Sequence, residues 1–279
     1  MKAAAFDYIR AGSVAEAAAL LRQHGGEAKL IAGGQSLLPA LNLRLSAPAL
    51  LVDIGLIPAL RGIVVQDGVL RIGALTTHAE VLASPVIAAH APLLPAAVAH
   101  IAHPAIRSRG TIGGSLANAD PAAELPACAL VLQARMVAEG PDGVRRIAAR
   151  DFFTGLFETA LAEDEVLTAV EVDVASAAVW GFSELARRSG DYAIVGLAAH
   201  GTPDVMRLAY FAVGTRAVLA VHAAAALAQD GLAAAQAALA QDLEPHDDLQ
   251  ASAATRLHLA RVLLGRVVGP LLGSQAMAA

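Results

Sequence analysis

Two short glycine-containing stretches decide the fold of this chain: Ala32-Gly33-Gly34-Gln35-Ser36 and, further along, Thr111-Ile112-Gly113-Gly114-Ser115. Glycine carries no Cβ, so backbone N–H groups in such stretches can approach an anion closely. Each stretch ends in a serine, whose hydroxyl can add a hydrogen bond. Two stretches of this kind indicate one ligand with phosphate groups in its middle, held from two sides.

The residues around the first stretch alternate between strand and helix. Residues 28–31 are predicted as a short buried strand, residues 37–43 as a helix capped by Ser36, and residues 50–54 as another strand. This order places the first glycine pair, Gly33-Gly34, at the carboxyl end of a strand, where α/β folds bind their ligands.

Further local signals extend this pattern. Ser13 with Glu16, and Thr77 with Glu80, have the spacing of capping boxes and predict two helix starts. Asp67-Gly68 between apolar runs predicts a β-hairpin. Helices are also predicted over residues 92–101 and 122–132, and the composition changes near residue 176, where we predict a domain boundary.

Composition limits the classes of function. The chain has 279 residues, of which 56% are hydrophobic and 16% charged, with a formal net charge of −5. It has no basic tract that would favour nucleic acid, and no apolar run long enough to span a membrane. The single cysteine, Cys128, excludes a disulfide framework and any iron–sulfur cluster ligated by this chain alone. We expect a cytoplasmic protein, and no histidine has the spacing of a metal site.

The glycine stretches match neither a P-loop nor the Rossmann fingerprint. Residues 32–39, 72–78, 106–127 and 190–195 instead resemble, in order, the FAD-binding medium subunit of molybdenum hydroxylases, the family of xanthine dehydrogenase and carbon monoxide dehydrogenase. The resemblance implies an α+β fold of the p-cresol methylhydroxylase/vanillyl-oxidase type. Two α/β subdomains, about 1–57 and 58–176, would hold FAD, and residues 177–279 would form a C-terminal α+β domain.

The resemblance also implies a set of FAD contacts. Both glycine pairs would donate backbone N–H groups to the pyrophosphate, an acidic side chain would bond polar flavin atoms, and a tyrosine would lie near the isoalloxazine ring. The implied contacts are Ala32, Gly33, Gly34, Gln35, Ser36, Leu37, Thr76, Ile101, Thr111, Ile112, Gly113, Gly114, Ser115, Asp120, Glu124, Leu167 and Tyr192. No side chain is expected to act as a catalytic acid or base, and no residue as a metal ligand.

In that family the flavin subunit works with partners. The resemblance implies a large subunit with molybdopterin and a small subunit with two 2Fe-2S clusters, in a heterotrimer or a dimer of heterotrimers. Electrons would pass from the clusters to FAD and on to an external acceptor. Two alternatives remain open at this point: a stand-alone FAD-dependent oxidase or dehydrogenase of the same fold, and a non-catalytic FAD-binding or assembly factor.

Overall fold

The computed structural model of the protein describes residues 2–174, 178–202 and 204–276, with the backbone alone for 273–276. The strands are β1 Asp7–Arg10, β2 Ala28–Ile31, β3 Leu50–Asp53, β4 Ile63–Gln66, β5 Val69–Gly73, β6 Arg135–Gly140, β7 Gly143–Ala148, β8 Phe153–Gly155, β9 Glu158–Thr159, β10 Val166–Asp173, β11 Val179–Leu185, β12 Val195–Gly201, β13 Met206–Phe211 and β14 Val218–Leu219. The helices are α1 Val14–His24, α2 Leu37–Asn42, α3 His78–Ala83, α4 Pro85–His90, α5 Leu93–Val98, α6 Pro104–Arg107, α7 Ile112–Asn118, α8 Glu124–Val131, α9 Ala149–Phe152, α10 Val221–Asp230, α11 Leu232–Asp242 and α12 Ala253–Ala276.

The first unit is a parallel sheet in the order β1-β3-β2. Helix α1 packs on it through an apolar face that includes Ala17 and Leu21, against Leu50 and Val52 of the central strand. The side chain of Ser13 accepts the N–H of Glu16, so the predicted cap of this helix is confirmed. The parallel register brings the ends of β2 and β3 to one edge, where the first glycine pair begins.

The second unit is an antiparallel sheet in the order β4-β5-β10-β6-β7. Helix α4 contacts β4 and α7 contacts β10, and buried residues of α3, α5 and α8 share the same core. The hairpin predicted at Asp67-Gly68 joins β4 to β5. Thr77 and Glu80 form the complete predicted capping box at the start of α3. The unit's core continues through α8 into the next sheet, because Ala198 and Phe211 belong to the same buried cluster.

The third unit is an antiparallel sheet in the order β11-β12-β13-β14. Helix α8 contacts β12 and β13, while α10 contacts β13 and α12 contacts β11 and β12. The hydroxyl of Tyr210 donates to the carbonyl of Ala260 in α12 at 2.9 Å, deep in the core. The guanidinium of Arg256 donates to the carbonyls of Ile194 and Ala212 and thereby fastens α12 to this sheet.

Several local predictions differ from the structure. Ser36 has a helical backbone conformation and its side chain caps nothing, so the predicted cap of α2 is wrong. The predicted helices 92–101 and 122–132 are the shorter α5 and α8. The predicted boundary near residue 176 lies outside the described residues.

Among the residues that the structure describes, no helix has the length and apolar character needed to cross a bilayer.

Candidate functional site

The first glycine pair forms a tight turn between β2 and α2. Gly34 has a φ of +72°, which favours glycine, and the side chain of Gln35 donates to the carbonyl of Gly33 at 3.0 Å. A Cβ on Gly33 would stand 2.0 Å from the carbonyl oxygen of Arg109. The first turn therefore touches the segment that leads into the second stretch. In the part of the chain that the structure describes, the N–H groups of Gly34, Gln35 and Ser36 donate to no protein atom.

The second glycine pair, Gly113-Gly114, lies in the first turn of α7 rather than in a loop. The N–H of Gly113 donates to the carbonyl of Ala74, and the N–H of Gly114 donates to the side chain of Thr111. The N–H of Ser115 donates to the carbonyl of Thr111. These donors are already engaged, in contrast to those of the first turn, so hydrogen bonds from this side to a ligand must come mainly from side chains.

The two glycines of the second pair have different surroundings. A Cβ on Gly113 would lie 2.5 Å from the Cβ of Ala74, so this glycine lets α7 pack against the end of β5. A Cβ on Gly114 would meet only the Thr111 hydroxyl, at 2.8 Å, and Gly114 is exposed. Gly114 therefore presents bare backbone to the space in front of the helix.

That space is a cleft of about 520 Å³ between the first and second units. Of the predicted contacts, those that line it are Ala32, Gly33, Gly34, Gln35, Ser36, Leu37, Ile101, Thr111, Gly113, Gly114, Ser115, Asp120, Glu124, Leu167 and Tyr192. Thr76 and Ile112 are buried behind this wall, at 3% and 1% exposure, and do not line the cleft. Ile112 packs in the core, and its N–H donates to the carbonyl of Thr76.

The cleft also has lining residues outside the predicted set. They include Lys29, His78, Asn118, Leu161, Glu165 and Asp191. Asn118 could have been predicted from the sequence, because it lies three residues after Ser115 and therefore on the same face of α7. Lys29 belongs to β2 and Glu165 is the residue before β10, two segments that only the tertiary fold brings together.

Acidic groups gather at one end of the cleft. Glu124 is buried, and this burial, together with the nearby carboxylates of Glu184 and Asp120, raises its pKa to about 8. Burial raises the pKa of Glu184 to about 7. The pKa of Tyr192 is raised, first by partial burial and then by the nearby Asp120 carboxylate. At neutral pH the carboxyl of Glu124 is therefore largely protonated and can donate a hydrogen bond to a ligand oxygen.

The glycine turn at a strand end, the Cβ-free helix surface opposite it and the protonated carboxyl fit a nucleotide with a negatively charged middle and a polar ring system. A side chain at position 114 would occupy part of the space that Gly114 leaves open in front of α7. Fold and site together define an α+β protein with a cleft suited to a dinucleotide-type ligand.

Family comparisons identify the class more closely. Residues 4–173 match the FAD-binding domain in molybdopterin dehydrogenase, and residues 180–271 match the C-terminal domain of the carbon monoxide dehydrogenase flavoprotein. The chain is 40% identical to the alpha subunit of the 6-hydroxypseudooxynicotine dehydrogenase complex of Paenarthrobacter nicotinovorans, over 98% of this chain and 96% of that subunit. It is 43% identical to the carbon monoxide dehydrogenase medium chain of Hydrogenophaga pseudoflava, over 69% of this chain and 68% of that one.

A solved structure gives the same result. Carbon monoxide dehydrogenase from Hydrogenophaga pseudoflava, in a form that lacks the Mo-pyranopterin moiety of its molybdenum cofactor, contains a chain that superimposes with a TM-score of 0.93 at 38% identity. The superposition covers 96% of this chain and 98% of that one. The protein belongs to the FAD-binding subunits of the molybdenum hydroxylase family, and it is an oxidoreductase subunit with an FAD-binding domain. The predicted family, fold class and flavin cofactor are confirmed.

Proposed function

We propose that this chain is the electron-transfer flavin subunit of a complex with a large molybdopterin subunit and a small 2Fe-2S subunit, in a heterotrimer or a dimer of heterotrimers. It takes electrons from the clusters and passes them to an external acceptor. The match of residues 4–173 to the FAD-binding domain of molybdopterin dehydrogenases carries this proposal. The names of the relatives, as subunits or medium chains, support a multi-subunit complex. The single cysteine supports clusters held by another chain.

FAD would lie in the cleft with its pyrophosphate between the two glycine pairs. The free N–H groups of Gly34, Gln35 and Ser36 would donate to the phosphate oxygens from one side. Gly114 would allow the phosphates to approach α7, and the hydroxyl of Ser115 would donate from that side. Hydrogen bonds to a charged acceptor contribute about 1.5–3 kcal/mol each.

The remaining contacts would orient the ring systems. The protonated Glu124 carboxyl would donate to a polar atom of the flavin, and Tyr192 would lie near the isoalloxazine ring beside Asp120. Ile101 and Leu167 would contribute apolar contacts. When bound, the flavin supplies the redox chemistry, and the protein contributes orientation, hydrogen bonds and exclusion of water.

The organisation and location of the chain are part of the same proposal. Residues 1–176 would form the FAD-binding domain, with subdomains of about 1–57 and 58–176, and residues 177–279 the C-terminal domain. The family matches over 4–173 and 180–271 support this division. A cytoplasmic location accords with a chain that has one cysteine and hence no internal disulfide.

Co-purification tests the proposal. The tagged full chain, isolated from its own organism, should carry FAD, seen as visible flavin absorbance and identified after release by mass spectrometry. It should bring with it one chain with molybdopterin and one with 2Fe-2S clusters. Isolation as a single chain that oxidises a small organic substrate by itself would contradict the proposal and favour the stand-alone oxidase.

A further inference from the structure

His78, one of the residues that line the cleft, contacts Ser115, the serine of α7 that also lines it. Its Nε2 lies 2.9 Å from the hydroxyl oxygen of Ser115, and the residue is 3% exposed. The N–H of His78 donates to the carbonyl of Gly110 at 2.9 Å, which holds the backbone that carries the ring. A Cβ on Gly110 would come within 3.0 Å of this ring, so the ring has little room to turn.

The ring's partners determine which nitrogen carries the proton. Burial and the nearby charge of Arg107 lower the pKa of His78 to about 4, so the imidazole is neutral at physiological pH. Nδ1 is buried without a partner among the described residues, and a buried N–H without an acceptor is rarer than an unpaired lone pair. The hydrogen is therefore on Nε2, which has the Ser115 oxygen beside it. His78 is therefore the Nε2–H tautomer.

This tautomer sets the direction of the Ser115 hydroxyl. Since Nε2 donates, the Ser115 oxygen accepts, and its own hydrogen must be donated elsewhere. Among the described residues, the Ser115 hydroxyl has a hydrogen bond only with His78, and the nearby carbonyl of Thr111 already accepts from the N–H of Ser115. Ser115 lines the cleft, so its hydrogen is directed there.

We infer that His78 is a positioning residue for FAD: its Nε2–H holds the Ser115 hydroxyl as a donor toward the pyrophosphate. The inference rests on the proposed FAD site. The Ser115 hydroxyl is important because the N–H groups of Gly113, Gly114 and Ser115 already donate to acceptors within the protein. The Ser115 hydroxyl is thus a principal donor on this side of the cleft, and an oxygen that accepts one hydrogen bond becomes a better donor in the next.

The test is the dissociation constant of FAD for the cofactor-free full chain and its variants, measured by calorimetry. Ser115→Ala should raise the Kd for FAD about 10- to 100-fold, the loss of one bond to a charged acceptor. His78→Leu should raise it by a similar factor, because the hydroxyl is then free to turn toward the Thr111 carbonyl. The double variant should bind no more weakly than Ser115→Ala alone.

Two conservative replacements distinguish positioning from packing. The amide nitrogen of a glutamine reaches the place of Nε2, so His78→Gln should restore most of the affinity. An asparagine places its donor nearer Nδ1, so His78→Asn should not. Riboflavin, which has no phosphate, serves as a probe, and its affinity should be equal in all these variants. His90→Gln, in α4 away from the cleft lining, is the control.

The outcomes distinguish a failure of the proposed function from a failure of the role given to His78. If the unmodified chain binds no FAD, the proposed function fails. The role of His78 is refuted if the unmodified chain binds FAD and the His78→Leu variant, shown to be folded by its circular dichroism spectrum, binds FAD equally well. It is also refuted if the losses of affinity from the two single substitutions multiply in the double variant. A long-range ¹H–¹⁵N spectrum that shows the Nδ1–H tautomer of His78 would refute it independently.

Discussion

Replacement of Gly114 by valine tests the steric side of the proposed site. Its Cβ would meet only the Thr111 hydroxyl, at 2.8 Å, and the rest of the new side chain would extend into the cleft. Because that hydroxyl caps α7, the fold should lose no more than about 1 kcal/mol. FAD, in contrast, would be held away from α7, which removes the Ser115 bond and weakens a bond from the first glycine turn.

At about 1.5–3 kcal/mol for each of two bonds, the expected loss of binding free energy is roughly 3–6 kcal/mol, or about a hundredfold to ten-thousandfold in Kd. The assay is calorimetric titration of the cofactor-free chain with FAD, with thermal unfolding as the check on folding. Gly26→Val is the matched control, since a Cβ on Gly26 meets no atom within 4 Å and the residue lies outside the cleft lining. Gly114→Val protein that unfolds normally and binds FAD with unchanged Kd would refute the reasoning.

Three further predictions concern neighbouring parts of the site. Gly33→Ala should destabilise the cofactor-free fold by about 1–3 kcal/mol, because the alanine methyl would stand 2.0 Å from the Arg109 carbonyl oxygen. An unchanged melting temperature would contradict this. The pKa of Glu124 is raised in the folded state, so the fold holds a proton that the unfolded chain releases, and stability falls as pH rises from about 4.5 to about 8. Glu124→Gln should therefore make the free energy of unfolding decline less steeply between pH 5 and pH 8, by up to about 1.4 kcal/mol per pH unit. Glu184, whose pKa is also raised, keeps part of the slope in both proteins. A decline as steep in the variant as in the unmodified protein would contradict a buried Glu124 carboxyl. Tyr192→Leu should brighten the fluorescence of bound FAD if the tyrosine lies near the ring, and unaltered emission would place it elsewhere.

Local sequence signals predicted much of the fold, and where they failed, tertiary contacts were the reason. The capping box at Thr77 and Glu80 and the hairpin at Asp67-Gly68 are local devices that need no distant partner, and both are present. Strand β1 was missed because it is short and exposed, and it exists by pairing with β3. Strand β12 was missed because its alanines and glycines carry no strand pattern of their own.

The candidate site shows the same division. The glycine stretches could be found from sequence, because their function requires the absence of side chains. Their unequal roles could not be predicted. The N–H groups of the second pair donate to the Thr111 side chain and to the carbonyl of Ala74, the residue after β5. The burial of Ile112 and Thr76 likewise follows from how α7 packs on the second sheet.

A crystal structure of the full chain with bound FAD tests the central claim most directly. It should show the pyrophosphate oxygens within hydrogen-bond distance of the N–H groups of Gly34, Gln35 and Ser36 on one side and of the Ser115 hydroxyl on the other, with phosphate in contact with Gly114. A pyrophosphate bound away from either glycine pair would contradict it.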